Sequence, residues 1–301
     1  MSRHFRFFLP ALLFASSACD RGPGGGKFDG ESALRYAAAQ LEFGPRVPGT
    51  PAAQRAGDWI IEQMRSRSDT VVVQSWTHVT EDGMELPMRN ILARYNPGAA
   101  DRILYVTHWD SRPKSDLAEN PEERSLPVPG ANDGASGVGL FVALGDALTR
   151  TPPAFGVDLL FVDGEDWGDF DGDLADVLIG STYFANNLPD SAYRPMFGVV
   201  WDMIGDRDLV IMKEGYSLQG APEVVERVWR TASELGHGKV FVSREMGGIT
   251  DDHVPLLRAG LRVIDVIDIE YPYHHRPSDT LDKISARSLS IVGEVAEALL
   301  R

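Results

Sequence analysis

Residues 136–166 read SGVGLFVALGDALTRTPPAFGVDLLFVDGED, and this stretch decides the fold. Val138, Phe141, Leu144 and Leu148 recur at helical spacing, with Leu140, Ala143 and Ala147 beside them. Val157–Val162 is then a short apolar run, the length of a buried strand. It ends in Asp163, Glu165 and Asp166. A helix, a buried strand and carboxylates at the strand's end are what an α/β sheet produces where it binds ligands.

The same alternation extends in both directions. Strand-like runs are Thr70–Trp76, Met88–Tyr95, Arg102–Thr107, Phe197–Trp201, Leu209–Met212, Lys239–Val242 and Arg262–Ile267. Helical patterns are Pro51–Arg65, with Thr50 as its cap, then Ser181–Asn187, Pro222–Leu235, Asp252–Ala259 and Ala286–Leu300. We read one α/β domain over 28–301, with a mixed central β-sheet flanked by helices on both faces.

Composition narrows the function. The chain of 301 residues carries 29 basic and 44 acidic residues, a net charge of −15, which opposes nucleic-acid or anionic-membrane binding. A hydrophobic fraction of 43% supports a sizeable core. The single cysteine excludes a disulfide framework and a cysteine-rich zinc site, so any metal must be held by His, Asp and Glu. Arg3, His4 and Arg6 precede an apolar stretch from Phe7 to Ala15, then Ser16, Ser17, Ala18 and Cys19. We expect a signal peptide over 1–18, lipidation of Cys19 and a flexible Gly-rich tether over 19–27. The protein would then be exported to the periplasm or cell surface, with membrane contact only through a lipid anchor.

Five segments deliver polar residues to one expected sheet edge. His108 and Asp110 follow Val106–Thr107, and Asp163, Glu165 and Asp166 follow Phe161–Val162. Asp202 follows Val200–Trp201, and His274 and His275 follow the run ending near Ile267. Asp133 precedes the helical run Ser136–Leu148. Any one such Asp is an ordinary cap or turn residue; the conjunction points to a site. Imidazole nitrogens and carboxylate oxygens suit zinc, and the pair Glu165–Asp166 allows one to bind metal while the other serves as base.

These residues fall into ordered motifs: His108-Trp-Asp110, Gly130-Ala-Asn-Asp133-Gly-Ala-Ser-Gly137, Glu165-Asp166, Asp202-Met-Ile-Gly205 and His275-Arg-Pro-Ser-Asp279-Thr280. Together they resemble the zinc-dependent aminopeptidase clan with co-catalytic metals, a zinc exopeptidase fold of the phosphorylase/hydrolase-like kind. Within it the chain is most similar to glutaminyl cyclases (glutaminyl-peptide cyclotransferases) of the animal and bacterial zinc type, from about Arg46 to the C-terminus. Three stretches favour that branch: Phe161–Asp166, the loop Trp167–Ile179, and Ile249-Thr-Asp251-Asp252-His253.

The resemblance implies roles. Asp133, Asp166 and His275 would bind zinc, Glu165 would be the general acid/base, and Asp202 and Asp251 would form a hydrogen-bonded acid pair. Ile249 and Tyr271 would wall the pocket, with Trp201 and Trp167 as further wall candidates. His108 and Asp202 match positions that bind a second zinc in aminopeptidases. One zinc is expected of a cyclase and two of an aminopeptidase; the substrate in either case is a peptide or protein N-terminus. Asp166 stands where Glu is usual and is one methylene shorter. Arg276 stands where Thr is usual, and His274 offers an alternative to His275, although the spacing to Asp279–Thr280 favours His275. His253 reads as structural, and the acidic run Asp169–Asp173 as a solvated loop rather than a calcium site.

Overall fold

The computed structural model describes residues 27–170 and 172–301. The expected signal segment, Cys19 and nearly all of the expected tether lie outside the described residues. In chain order the elements are α1 (Gly30–Leu41), α2 (Pro51–Arg65), β1 (Thr70–Val79), β2 (Glu85–Tyr95), β3 (Arg102–His108), α3 (Ala135–Arg150), β4 (Gly156–Val162) and α4 (Ile179–Asn186). There follow β5 (Phe197–Asp202), β6 (Ile211–Lys213), α5 (Gly215–Gly220), α6 (Pro222–Glu234), β7 (Phe241–Glu245), α7 (His253–Arg258), β8 (Val263–Ile267) and α8 (Ala286–Ala298). Among the described residues no helix is long and apolar enough to cross a membrane.

Six strands form the main sheet in the order β1-β2-β4-β3-β5-β8. β1, β2 and β4 pair antiparallel, whereas β4, β3, β5 and β8 run parallel. The mixed sheet follows from local sequence. Every residue of β3, β4, β5 and β8 is buried, as parallel strands with helices on both faces must be. β1 at the edge instead alternates between exposed and half-buried positions. Alternation divides the core. Ile103, Tyr105, Leu159, Phe161, Val199 and Trp201 pack under α1, α2, α3, α6 and α8. Leu104, Val106, Leu160, Val162 and Val200 pack on the opposite side against Phe184 of α4 and Leu256 of α7.

Several local expectations hold in detail. Thr50 caps α2 by accepting the N–H of Ala53 at 3.2 Å, and Pro51 occupies the first turn. Two differ. The runs near Leu209–Met212 and Lys239–Val242 become β6 and β7, a separate two-stranded sheet rather than part of the main one. α1 is absent from the periodicity reading, because its apolar residues are mainly alanines (Ala33, Ala37) that fit against α3 through small size.

One buried ion cluster braces the strands away from the site. Asp158 on β4 is fully buried and accepts from Arg102 at 2.6 Å, Arg94 at 3.1 Å and the Tyr193 hydroxyl at 2.8 Å. Asp158→Ala should therefore cost about 3–5 kcal/mol, the usual cost of stranding a buried charge. Denaturant unfolding of the variant measures it; a loss below about 1 kcal/mol would mean the arginines find water instead.

Candidate metal centre

The four parallel strands end on one edge, and the expected residues gather there. His108 is the last residue of β3, Asp202 the last of β5, and Glu165 and Asp166 follow β4 within one turn. Asp133 arrives from the loop before α3, and His274–His275 from the loop after β8. His108 Nε2 lies 3.0 Å from Asp133 Oδ1 and 3.1 Å from Asp202 Oδ1. His275 Nε2 lies 3.2 Å from Asp166 Oδ1 and 3.8 Å from Asp133 Oδ2. Asp133 thus stands between two sets, one carboxylate oxygen toward each.

Among the described residues, two groups of side chains are close enough to share an ion: His108, Asp133 and Asp202, and Asp133, His274 and His275; the expected ligand Asp166 joins neither, although it contacts His275. His274 Nε2 comes 3.9 Å from Asp133 Oδ2, so both tandem histidines reach the centre; the contact with Asp166 belongs to His275. Two oxygens test whether a cation fits. Asp133 Oδ2 and Asp166 Oδ2 are buried and accept no hydrogen bond among the described residues. Stranded carboxylate oxygens are costly in an apolar interior, and a divalent ion is the partner that would relieve them. The donors, imidazole nitrogen and carboxylate oxygen, are those zinc takes.

Several residues hold these groups in place, and sequence reasoning assigned most of them no role. Asp110 accepts the N–H of Glu165 and of Asp166, each at 3.2 Å, and so fixes the turn after β4. Asp279 accepts the N–H of Asn132 at 2.9 Å and of Asp133 at 3.2 Å. The fully buried Arg46 guanidinium donates to the carbonyls of Pro129 and Gly130 at 2.5 and 2.7 Å, anchoring the loop that carries Asp133. Only glycine fits at 134, since a Cβ there would sit 2.7 Å from His108 Cε1 and His108 O. Met203 and His275 adopt φ values of 44° and 52°, left-handed conformations that non-glycine residues hold only when surroundings impose them. The visible signal for Asp110 and Asp279 was their place in the motifs; nothing in the sequence announces Arg46 as a loop anchor.

A pocket of about 360 Å³ opens onto this centre. Glu165, Asp202 and Asp251 line it with the expected zinc ligands, and Ile249, Ile267, Ile269, Leu117 and Phe170 give it apolar walls. Burial pushes the Glu165 carboxyl well above its ordinary range; His108 opposes this, while Asp166, Asp251 and Asp252 add to it. Burial likewise pushes Asp202 up to about 7, against the pull of His108. Burial would lower His275, but Asp166, Asp116 and Asp133 outweigh it and hold it at about 10. Asp251 raises the proton affinity of Asp202, and burial, then Asp251 and Asp202 together, raise that of Asp265 on β8. The acid pair expected at 202 and 251 is therefore part of a larger cluster.

Three expected pocket walls lie elsewhere. Trp201 precedes Asp202 on β5, so alternation turns it to the other face, where it meets Tyr105 edge-on at 5.4 Å and is wholly buried. Trp167 packs beside Leu86 and Met88 of β2 and Ile179 of α4. Tyr271 lies beneath the pocket with Met203 and Ile267, its hydroxyl donating to Asp279 at 2.7 Å. Ile249 does line the pocket. His253 is fully buried, 3.1 Å from Glu214, and belongs to neither metal-capable group. In the acidic loop, Asp169 and Asp173 accept local N–H groups, at 3.1 Å each from Gly172 and Ala175.

Glu214 braces the Ile249 wall. Its carboxylate caps α5 and accepts the N–H of Ile249 at 3.0 Å. Burial would raise its pKa, but His253, Ser217 and the N–H of Tyr216 lower it to about 2. A carboxyl depressed on folding adds stability above its unfolded pKa near 4.5 and loses it as pH falls toward 2. Glu214→Gln should lower stability at pH 7, and the gap from the parent should shrink between pH 4.5 and 2. Urea titrations across that window check it; a gap independent of pH would contradict the linkage.

Peptidase family M28 matches residues 90–300. Among solved structures, the glutaminyl cyclase of Bacteroides thetaiotaomicron superposes with a TM-score of 0.88 at 34% identity, covering 91% of this chain and 98% of that one. A leucine aminopeptidase precursor from the same organism gives 0.88 and 34%, covering 91% and 97%. Aminopeptidase YwaD of Bacillus subtilis is 25% identical over 213 residues, which is 65% of this chain but only 40% of that protein's length.

Proposed function

The chain belongs to peptidase family M28, and from that premise we propose that it is a zinc-dependent glutaminyl-peptide cyclotransferase. The observation that carries this reading is the pocket itself: Glu165 and Asp166 line it together with the segment Ile249–Asp251. The likeness to a cyclase across nearly the whole of both chains supports it.

In this reading Asp133, Asp166 and His275 hold zinc, which when bound supplies Lewis-acid polarisation of a carbonyl oxygen. The substrate is a peptide with N-terminal glutamine. Asp202 and Asp251 attract its cationic amino terminus into a site rich in negative charge. The terminal ammonium gives one proton to solvent, and Glu165 takes a second as the resulting amine nitrogen attacks the side-chain amide carbon. A ring C–N bond forms as the bond to the amide nitrogen breaks. Glu165 returns its proton to the departing nitrogen, ammonia leaves, and an N-terminal pyroglutamyl peptide remains. The raised affinity of Glu165 for a proton suits a group that must both accept and return one.

A second reading has its own observation. His108, Asp133 and Asp202 form a second metal-capable group, as a two-zinc aminopeptidase would use, with Glu165 then serving a water molecule. A peptide assay separates them. Incubation with a Gln-initiated and a Leu-initiated peptide should release ammonia from the first without shortening it. A freed N-terminal amino acid would instead establish peptidase action. We further propose export with a lipid anchor at Cys19, which mass spectrometry of the mature N-terminus tests: an unacylated Cys19 contradicts it.

A further inference from the structure

Arg112 sits in the segment after β3 and is 5% exposed. Its Nη1 donates to Asp166 Oδ1 at 2.7 Å and to the Asp166 carbonyl at 3.3 Å. The other side of the same guanidinium grips Asp116, through Nε at 3.0 Å to each oxygen and Nη2 at 2.5 Å. Asp116 Oδ1 in turn lies 3.5 Å from His275 Nδ1. One planar cation is therefore linked to two residues of the metal centre, directly to one and through a carboxylate to the other.

We propose that Arg112, acting with Asp116, is the positioning residue that sets Asp166 and His275 for zinc. This rests on the metal reading given above. Asp166 is one methylene shorter than the glutamate expected at its position. Arg112 holds Oδ1, the oxygen that faces His275 Nε2, and so fixes the orientation of the carboxylate, whose buried Oδ2 has no hydrogen-bond partner among the described residues. Asp116 faces Nδ1 of His275 and would keep a proton on that nitrogen, so that Nε2, the atom facing Asp133 and Asp166, would be the one to give up its proton to a metal ion. A lysine could make one of these contacts but not the fork.

The opposite possibility is a competitor, in which the guanidinium occupies the place of the cation and its removal tightens zinc binding. Zinc affinity of the purified chain, measured by competition with a chromogenic chelator, separates the two. Arg112→Met should weaken zinc binding about 10–100-fold, the range for loss of a group that orients a ligand. Arg112→Lys should recover part of the loss, and Asp116→Asn should weaken binding less than Arg112→Met. The visible absorption of the cobalt-loaded protein should change in all three. Affinity of Arg112→Met within twofold of the parent, or tighter, overturns the proposal. If that variant does not fold, unchanged affinity in both Arg112→Lys and Asp116→Asn overturns it equally. A parent that binds no zinc, or an Asp166→Asn variant that binds as tightly as the parent, shows instead that the metal reading has failed and takes this proposal with it.

Discussion

Glu165→Gln is expected to lower turnover of a Gln-initiated peptide by about 10³-fold or more while zinc content stays at the parent level; removal of a general acid/base typically costs 10²–10⁴-fold. The reason lies in where each member of the carboxylate pair points. Asp166 contacts His275 at 3.2 Å and carries the buried, unpartnered oxygen. Neither Glu165 nor Asp166 belongs to the two metal-capable groups, but Glu165 has no ion-pair contact with His275; it faces the pocket with its Oε2 3.9 Å from His108 Nδ1. Its backbone is held by Asp110, which the substitution leaves untouched. Glutamine has the same shape but cannot accept and return a proton. Loss of zinc from this variant, measured by elemental analysis, would mean that base and ligand have been exchanged in the assignment.

Asp133→Asn should have the other large effect, lowering zinc affinity more than about 100-fold, beyond what loss of an outer partner costs. Asp133 is the residue common to both metal-capable groups, with Oδ1 3.0 Å from His108 and Oδ2 3.8 Å from His275. An amide removes the negative charge and turns one ligand atom into a donor. The loop should survive, because Asp279 holds it through backbone N–H groups and Arg46 through backbone carbonyls. Circular dichroism should match the parent while chelator competition shows the loss. Parental zinc affinity in the variant would place the ion away from Asp133.

Most of the architecture was legible because buried parallel strands leave a strong signature. Arg102–Thr107, Val157–Val162 and Phe197–Trp201 are short apolar runs that end in polar residues, and all three became central strands with their polar ends on one edge. The convergence of His108, Asp133, Asp166, Asp202 and His275 followed from that edge. Side-chain direction was less legible. Trp201 seemed a pocket wall because it adjoins Asp202, yet neighbours on a strand face opposite ways. Tyr271 was drawn away by Asp279, a contact within a loop whose shape no periodicity encodes. Arg46 and Arg112 act on residues distant in the chain, so their roles emerge only once the loops meet.

The central claim is that Asp133, Asp166 and His275 share one zinc ion. Diffraction from crystals grown with zinc, recorded on both sides of the zinc absorption edge, tests it most directly. An anomalous peak is expected about 2.0–2.2 Å from a carboxylate oxygen of Asp133, one of Asp166 and His275 Nε2. A peak bound by other residues, with these three side chains uncoordinated, would contradict it.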